Sequence, residues 1–335
     1  LEPPPVTAFC SLWAQNDAVG LPIARMMWRL LWAATSLAAA DRMDPGWVEP
    51  GWRCASHDRA APCLDLSTCR RGAARRKAIV SVFDAHGDTS ATLQGFVKHR
   101  ERLAKRARAA GVDAIFVLPR RDLQNVPFPE ANVDGLKKAG VDVRYSDWVV
   151  PPNLSKGVPV ESGGCCGARE FLKFVPMGYD EYDAIMVVDN DYDLDDFGKF
   201  GPLFDCAADG HVITTRAPMS MVNGALLVVP PSRSLRDALL DALSTATVDY
   251  TGWNKTPWGP LYHRSDMRVQ GFFYWFFYQQ YDALTDRRWR PAQVDPCVWN
   301  VQEHLAPMCR AELCGNLSLG SGHVDGLRKY RKGLC

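Results

Sequence analysis

At 335 residues, 47% hydrophobic and 23% charged, the chain is long enough to bury one large core and has the composition of a soluble globular enzyme. Lys and Arg number 39 against 38 Asp and Glu, so no overall basic field points to a nucleic acid or another polyanion as partner. The basic run from Arg70-Arg71 to Arg75-Arg76-Lys77 reads as a solvated stretch ahead of the first strand.

The first recognisable segment starts at Met26 or Met27 and reads Met-Trp-Arg-Leu-Leu-Trp-Ala-Ala-Thr-Ser-Leu-Ala-Ala-Ala up to Ala40. A basic start, an apolar middle and small residues before Asp41 are the layout of a cleavable secretory signal. The apolar part, Leu30 to Ala40, is shorter than the roughly twenty residues that span a bilayer. A short signal anchor and a buried helix are the alternatives, and any membrane anchorage is expected through this segment alone. Removing it takes Cys10 away and leaves ten cysteines, an even number that suits disulfides in an oxidising compartment. No two cysteines show C-x-x-C spacing, which gives no zinc ribbon and no thioredoxin-like pair. Sequons begin at Asn153, Asn254 and Asn316. The expected location is the secretory pathway, in the Golgi lumen or secreted.

Residues 41–76, rich in Pro, Gly, Arg and Cys, read as a stem or disulfide-tied extension, and a catalytic domain is expected over 77–335. The domain opens with the β-branched run Lys77–Phe83, an amphipathic helix over Thr92–Ala110 and the apolar strand Asp113–Pro119. The pattern continues with a helix over Val133–Ala139, a strand over Val141–Tyr145, a helix over Ala168–Val175 and the strand Asp183–Asp189. Such alternation predicts a mostly parallel sheet covered on both faces. Val212–Thr215 and Asn223–Val229 add strands, Ser234–Leu243 a helix, and the aromatic run Gly271–Tyr278 a core helix.

Asp189-Asn190-Asp191 ends an apolar strand, the place where open α/β sheets bind ligands. Alternate carboxylates there can share a hard divalent cation that also takes diphosphate oxygens; a solvated acidic turn is the plainer alternative. The segment Phe171 to Asp191, with a lysine, a Tyr-Asp pair, a strand and the acidic triplet, resembles the lysine-to-DxD segment of the glycogenin-like glycosyltransferases of family 8. Asn223-Gly224 is similar to that family's Asn-Ser-Gly strand, Asp266-x-x-Val269-Gln270-Gly271 to its Asp-x-x-Asp-Gln-Gly, and His323-x-x-Gly326-x-x-Lys329 to its His-x-x-Gly-x-x-Lys. The likeness spans residues 77–332.

The resemblance implies a single-domain glycosyltransferase A-type fold, an α/β Rossmann-like mixed sheet that is mostly parallel. It implies a UDP-sugar donor and a manganese or magnesium ion held by Asp189, Asp191 and His323. Ser81 and Phe83 would lie near the uracil, and Lys173 near the sugar and phosphates. Asn190, Asn223 and Gly224 would lie beside the donor, with Gly326 and Lys329 at the diphosphate. Asp266 would bind donor hydroxyls and Gln270 would face the anomeric carbon during a retaining transfer. The acceptor would be a glycan, a glycoprotein or a small polyol. Val269 departs from the family, whose aspartate there is lost, and Asn190 and Tyr330-Arg331 are milder departures. Two other functions fit parts of the sequence: a catalytically weak binder of nucleotide sugar or glycan, and a haloacid-dehalogenase-type phosphohydrolase. The second of these places its nucleophile after the first strand, whereas several strand-helix units precede Asp189. Trp253 and Trp258 either stack on an acceptor sugar or anchor their loop.

Overall fold

The computed structural model describes residues 63–83, 90–120, 130–149, 168–190, 192, 197–217, 220–249, 252–254, 269–279 and 289–300. All belong to one compact unit, Pro50–Cys335. Asp191, Asp266, Trp258, His323, Gly326, Lys329, the signal-like segment and the sequons at Asn153 and Asn316 lie outside the described residues.

The strands are β1 Lys77–Val82, β2 Asp113–Pro119, β3 Asp142–Ser146, β4 Ala184–Val188, β5 His211–Ala217, β6 Ser220–Val229 and β9 Arg290–Gln293. A two-stranded ribbon of β7 Val248–Asp249 and β8 Gly252–Trp253 stands apart. The main sheet has the order β3-β2-β1-β4-β6-β5-β9. Only β6 runs against its neighbours; the other pairings, β1 with β2 and β4, β2 with β3, and β5 with β9, are parallel. This is the Rossmann-like, mostly parallel mixed sheet expected from the alternating pattern.

Burial on both faces explains why β1 and β4 read as continuous apolar runs. Side chains alternate across the sheet: Ala78, Val80 and Val82 enter one core cluster and Ile79 the other. The first cluster is closed by the 3-10 helix Ala168–Gly178, by α4 Arg233–Thr245 and by α5 Val269–Tyr274. The second is closed by α1 Ser90–Ala109, α2 Glu130–Lys138 and α3 Gly201–Ala208. Ser232 caps α4 by accepting from the Leu235 N–H at 3.1 Å. The short α6, Pro296–Trp299, is capped in the same way by Asp295. No helix among the described residues is long and apolar enough to cross a membrane.

Two elements differ from the sequence reading in kind. The helix expected over Ala168–Val175 is a 3-10 helix that runs to Gly178 with Pro176 inside it, where proline's missing N–H disfavours regular α pairing. The aromatic run is α-helical only to Tyr274, then widens into a π turn over Trp275–Gln279. Of the two roles open to Trp253, burial fits the anchor: fully buried, it meets the rings of Phe171 and Phe272 edge-on at 6.0 and 5.0 Å.

Residues 63–76 lie against the second cluster. Cys63 bridges to Gln293 at the end of β9, Leu64 and Leu66 pack on the core, and Cys69 is disulfide-bonded to Cys206 of α3. Cys63 and Cys297 each take part in a disulfide as well. Backbone N–H groups of Arg70, Gly72 and Ala74 donate to Asp209 and Asp205, and those of Arg75 and Arg76 to Asp183.

Candidate functional site

The parallel strands β1 and β4 end side by side, with Ser81 opposite Val188. Antiparallel β6 brings its early residues to the same edge, since Leu226 pairs with Val188 and the Ala225 carbonyl accepts from the Asp189 N–H at 3.2 Å. Between β5 and β6 the register breaks: Thr214 pairs with Leu227 but Thr215 with Asn223. Such a break in register frees backbone groups from the ladder and re-aims them. Its groups find side chains instead. The Ala225 N–H donates to Asn223 Oδ1 at 2.7 Å and the Gly224 N–H to Gln270 Oε1 at 2.9 Å. The Gly224 carbonyl accepts from Lys173 Nζ at 3.1 Å.

Lys173 also reaches Asp189 Oδ1 at 2.6 Å, and its side chain is only 1% exposed. An ammonium is stable at that depth because a carboxylate and a carbonyl replace its water. Glu170, one turn earlier, lies 4.0 Å from it. The expected lysine is therefore an inward-facing residue; the amphipathic 3-10 helix turns it to the core with Phe171 and Phe174 as neighbours in sequence and burial.

Asn190 is turned inward too. Its Nδ2 donates to the Val82 carbonyl at 2.8 Å and its Oδ1 accepts from Arg100 Nη2 at 3.0 Å. Arg100 also donates to the Asp189 carbonyl at 3.2 Å and to Ser81 Oγ. One guanidinium thus ties the end of β1 to the acidic turn after β4, using the fixed fork that lysine lacks. Arg100 was absent from the sequence-derived set. The signal was present: Leu103, Ala104 and Ala107 mark the buried stripe of α1, and Arg100 sits three and four residues before two of them, on the same face. Tyr192 fastens the far side of the turn, its N–H donating to the Asp189 carbonyl at 3.2 Å and its hydroxyl to the Trp299 carbonyl. Burial pushes that phenol well above the ordinary tyrosine range.

The structure thus gathers Ser81, Lys173, Asp189, Asn190, Asn223, Gly224 and Gln270 at one edge of the sheet. Phe83 continues β1, its N–H donating to the Val117 carbonyl at 2.9 Å and its ring packed against the core. Glycine at 224 has a steric reason: a Cβ there would lie 3.0 Å from Gln270 Cγ and 3.6 Å from Lys173 Nζ. Val269 is fully buried in the core. Among the described residues no three His, Cys, Asp or Glu side chains cluster as a metal site; of the three expected ligands only Asp189 is described. Its carboxylate, 27% exposed, is a hard anionic oxygen donor of the type that holds manganese or magnesium.

No protein-family model matches the chain, and no curated protein matches it in sequence. Among solved structures it is similar to mouse xyloside xylosyltransferase 1 in its apo form, at 14% identity and a TM-score of 0.41, over 74% of this chain and 95% of that one. A likeness of that extent has no bearing on activity.

Proposed function

We propose that this chain is a metal-dependent, retaining glycosyltransferase of the secretory pathway, placed in the Golgi lumen or secreted. It would move a hexosyl or pentosyl group from a UDP-sugar to a glycan, glycoprotein or small polyol. The observation that supports this best is the hydrogen-bonded chain Asp189, Lys173, Gly224, Gln270. These residues come from three separate sequence motifs of the family 8 resemblance, and they meet at the strand ends where α/β folds hold ligands.

On this reading Asp189, Asp191 and His323 hold a manganese or magnesium ion, which supplies a positive charge to the departing UDP. Lys173 adds a second, fixed positive charge, and Gly326 and Lys329 contact the diphosphate. Arg100 and Asn190 hold the acidic turn in place, while Ser81 and Phe83 border the uracil side. Asn223, Gly224, Asp266 and Gln270 surround the donor sugar. Release of UDP from a panel of UDP-sugars with manganese, with and without acceptors, tests the proposal. It fails if UDP neither binds nor is released.

A second reading has its own observation. The position where the family keeps an aspartate is Val269, and that side chain is fully buried among apolar residues. A carboxylate is thereby lost from the sugar side, which favours a protein that binds nucleotide sugar with little turnover. Tight UDP binding with no release from any donor would support this second function.

A further inference from the structure

The basic run from Arg70 to Lys77 reads in the sequence as a solvated stretch, and Arg70, Arg71, Arg75 and Arg76 are indeed exposed. Its backbone is nevertheless fixed. Cys69 ties it to Cys206, and a tight turn closes from the Ala73 N–H to the Arg70 carbonyl at 3.2 Å, with Gly72 at φ 71°, where glycine carries no strain. Asp209, Asp205 and Asp183 accept the backbone N–H groups of Arg70, Gly72, Ala74, Arg75 and Arg76. These carboxylates therefore hold the main chain rather than neutralise the arginines one by one. Arg70 does pair with Asp209, at 3.2 Å, but among the described residues the guanidiniums of Arg71 and Arg75 have no partner. Arg70, Arg71, Gly72, Ala73, Arg75 and Asp183 line a cavity of about 400 Å³, a size that holds small molecules. Its mouth is open at Gly72, where a Cβ would meet nothing within 4 Å.

Asp183 narrows what such a cavity can take. The Arg75 and Arg76 N–H groups both meet its Oδ2, at 2.9 and 2.7 Å, so Oδ1 remains as a hydrogen-bond acceptor in the wall. Arginines alone would suit any anion; a carboxylate oxygen beside them repels a bare anion and accepts from a hydroxyl. We infer that the cavity is a second carbohydrate site, one that takes a sugar ring bearing a carboxylate or sulfate, as a unit of an acidic glycan. The forks of Arg71 and Arg75 meet the oxyanion, and Asp183 Oδ1 accepts from a ring hydroxyl. Because the strap is already held, little main-chain freedom is lost on binding. The net charge of the chain is only +1, so the attraction is local to the strap and no long-range field draws in nucleic acid or an anionic bilayer. The site is also separate from the acidic turn: Asp183 precedes β4 and Asp189 follows it, a span of about 20 Å along the strand. It goes beyond the transfer reaction and does not depend on it.

Calorimetry on the full chain tests this with oligogalacturonate and short dextran sulfate as the carboxylate and sulfate probes. Neutral dextran, polyglutamate of matched charge, duplex DNA and phosphatidylserine vesicles are the comparisons. At least one acidic sugar is expected to bind, and the tighter of the two identifies the oxyanion. It should exceed polyglutamate, which has the charges without the hydroxyls, by about tenfold, and dextran should not bind. Replacing Arg71 and Arg75 together by Gln should weaken the acidic sugar by about tenfold or more, with the midpoint of urea unfolding unchanged because neither side chain holds the fold. Asp183→Asn keeps an oxygen for the Arg75 and Arg76 N–H groups and turns Oδ1 into an NH2; the preference for acidic sugar over polyglutamate is expected to fall by about tenfold. The inference is overturned if neither acidic sugar binds, or if the double arginine variant binds as well as the native chain. It is equally overturned if polyglutamate, DNA or vesicles match the sugar, since the strap would then be a general basic surface, or if D183N keeps the native preference.

Discussion

Lys173 Nζ lies 2.6 Å from Asp189 Oδ1, so the acidic turn carries its own counter-ion from within the core. Replacing Lys173 by Met keeps the volume and removes the charge. The Gly224 carbonyl and one Asp189 oxygen then lose their partner, and the fold is expected to lose about 2 kcal/mol. Chemical denaturation reads that loss. UDP affinity should fall more steeply than stability, since the same ammonium is proposed to face the phosphates.

Arg100 is 2% exposed and serves Ser81, Asp189 and Asn190 at once. Arg100→Met is expected to cost about 2 kcal/mol, the scale of losing charged hydrogen bonds at a buried site. Arg100→Lys should recover only part of it, because an ammonium cannot span the same acceptors in one plane. The midpoint of urea unfolding for the two variants distinguishes a fork from a mere charge.

Gly224→Ala adds one methyl at 3.0 Å from Gln270 Cγ. The expected cost to the fold is about 1 kcal/mol of overpacking. The larger effect is on the site, where Gln270 must move and release the Gly224 N–H. Thermal unfolding and UDP-sugar binding measured on the same sample should therefore part company, binding suffering more.

The disulfide between Cys69 and Cys206 closes a sequence separation of 137 residues. Converting both cysteines to serine is expected to lower stability by about 3 kcal/mol, mainly by loosening the unfolded chain's constraint. Comparing thermal unfolding of the double variant with that of the native protein checks this.

His211 opens β5, with its Nδ1 buried and unbonded. Burial, then the nearby Arg290 charge, depresses its pKa below the ordinary 6.5. The unfolded chain therefore takes up this proton first as pH falls through about 6.5, and stability declines until the folded imidazole also titrates. His211→Gln should flatten the stability profile across that window, as measured by denaturant midpoints from pH 7.5 to about 5.

Much of the sheet was legible because its central strands are buried on both faces and so read as unbroken apolar runs. Asp113–Pro119 coincides with the expected strand, and Lys77–Val82 and Ala184–Val188 differ from theirs only at the ends. Arg290–Gln293 was not legible: it is short, holds a proline and sits at the sheet's edge, where alternation is weak. Gly201–Ala208 was missed because a helix of eight residues with Asp205 as its one charged side chain is too short and too apolar to set a period. At the site, spacing pointed to Lys173, Asp189, Gly224 and Gln270, but nothing in spacing told that Asn190 faces inward. That direction depends on Arg100, ninety positions away in sequence, whose own burial follows from the stripe on its helix.

The strap formed by residues 63–76 also bears on how the molecule carries load. A pull on the strap meets the disulfide at Cys63 and the edge strand Arg290–Gln293 first and then, at Cys69, a second covalent anchor in the helix Gly201–Ala208. Tension is shunted into these peripheral elements before it reaches Lys77. The strand that carries Ser81, and with it the edge where Asp189 sits, lies beyond both anchors of the strap.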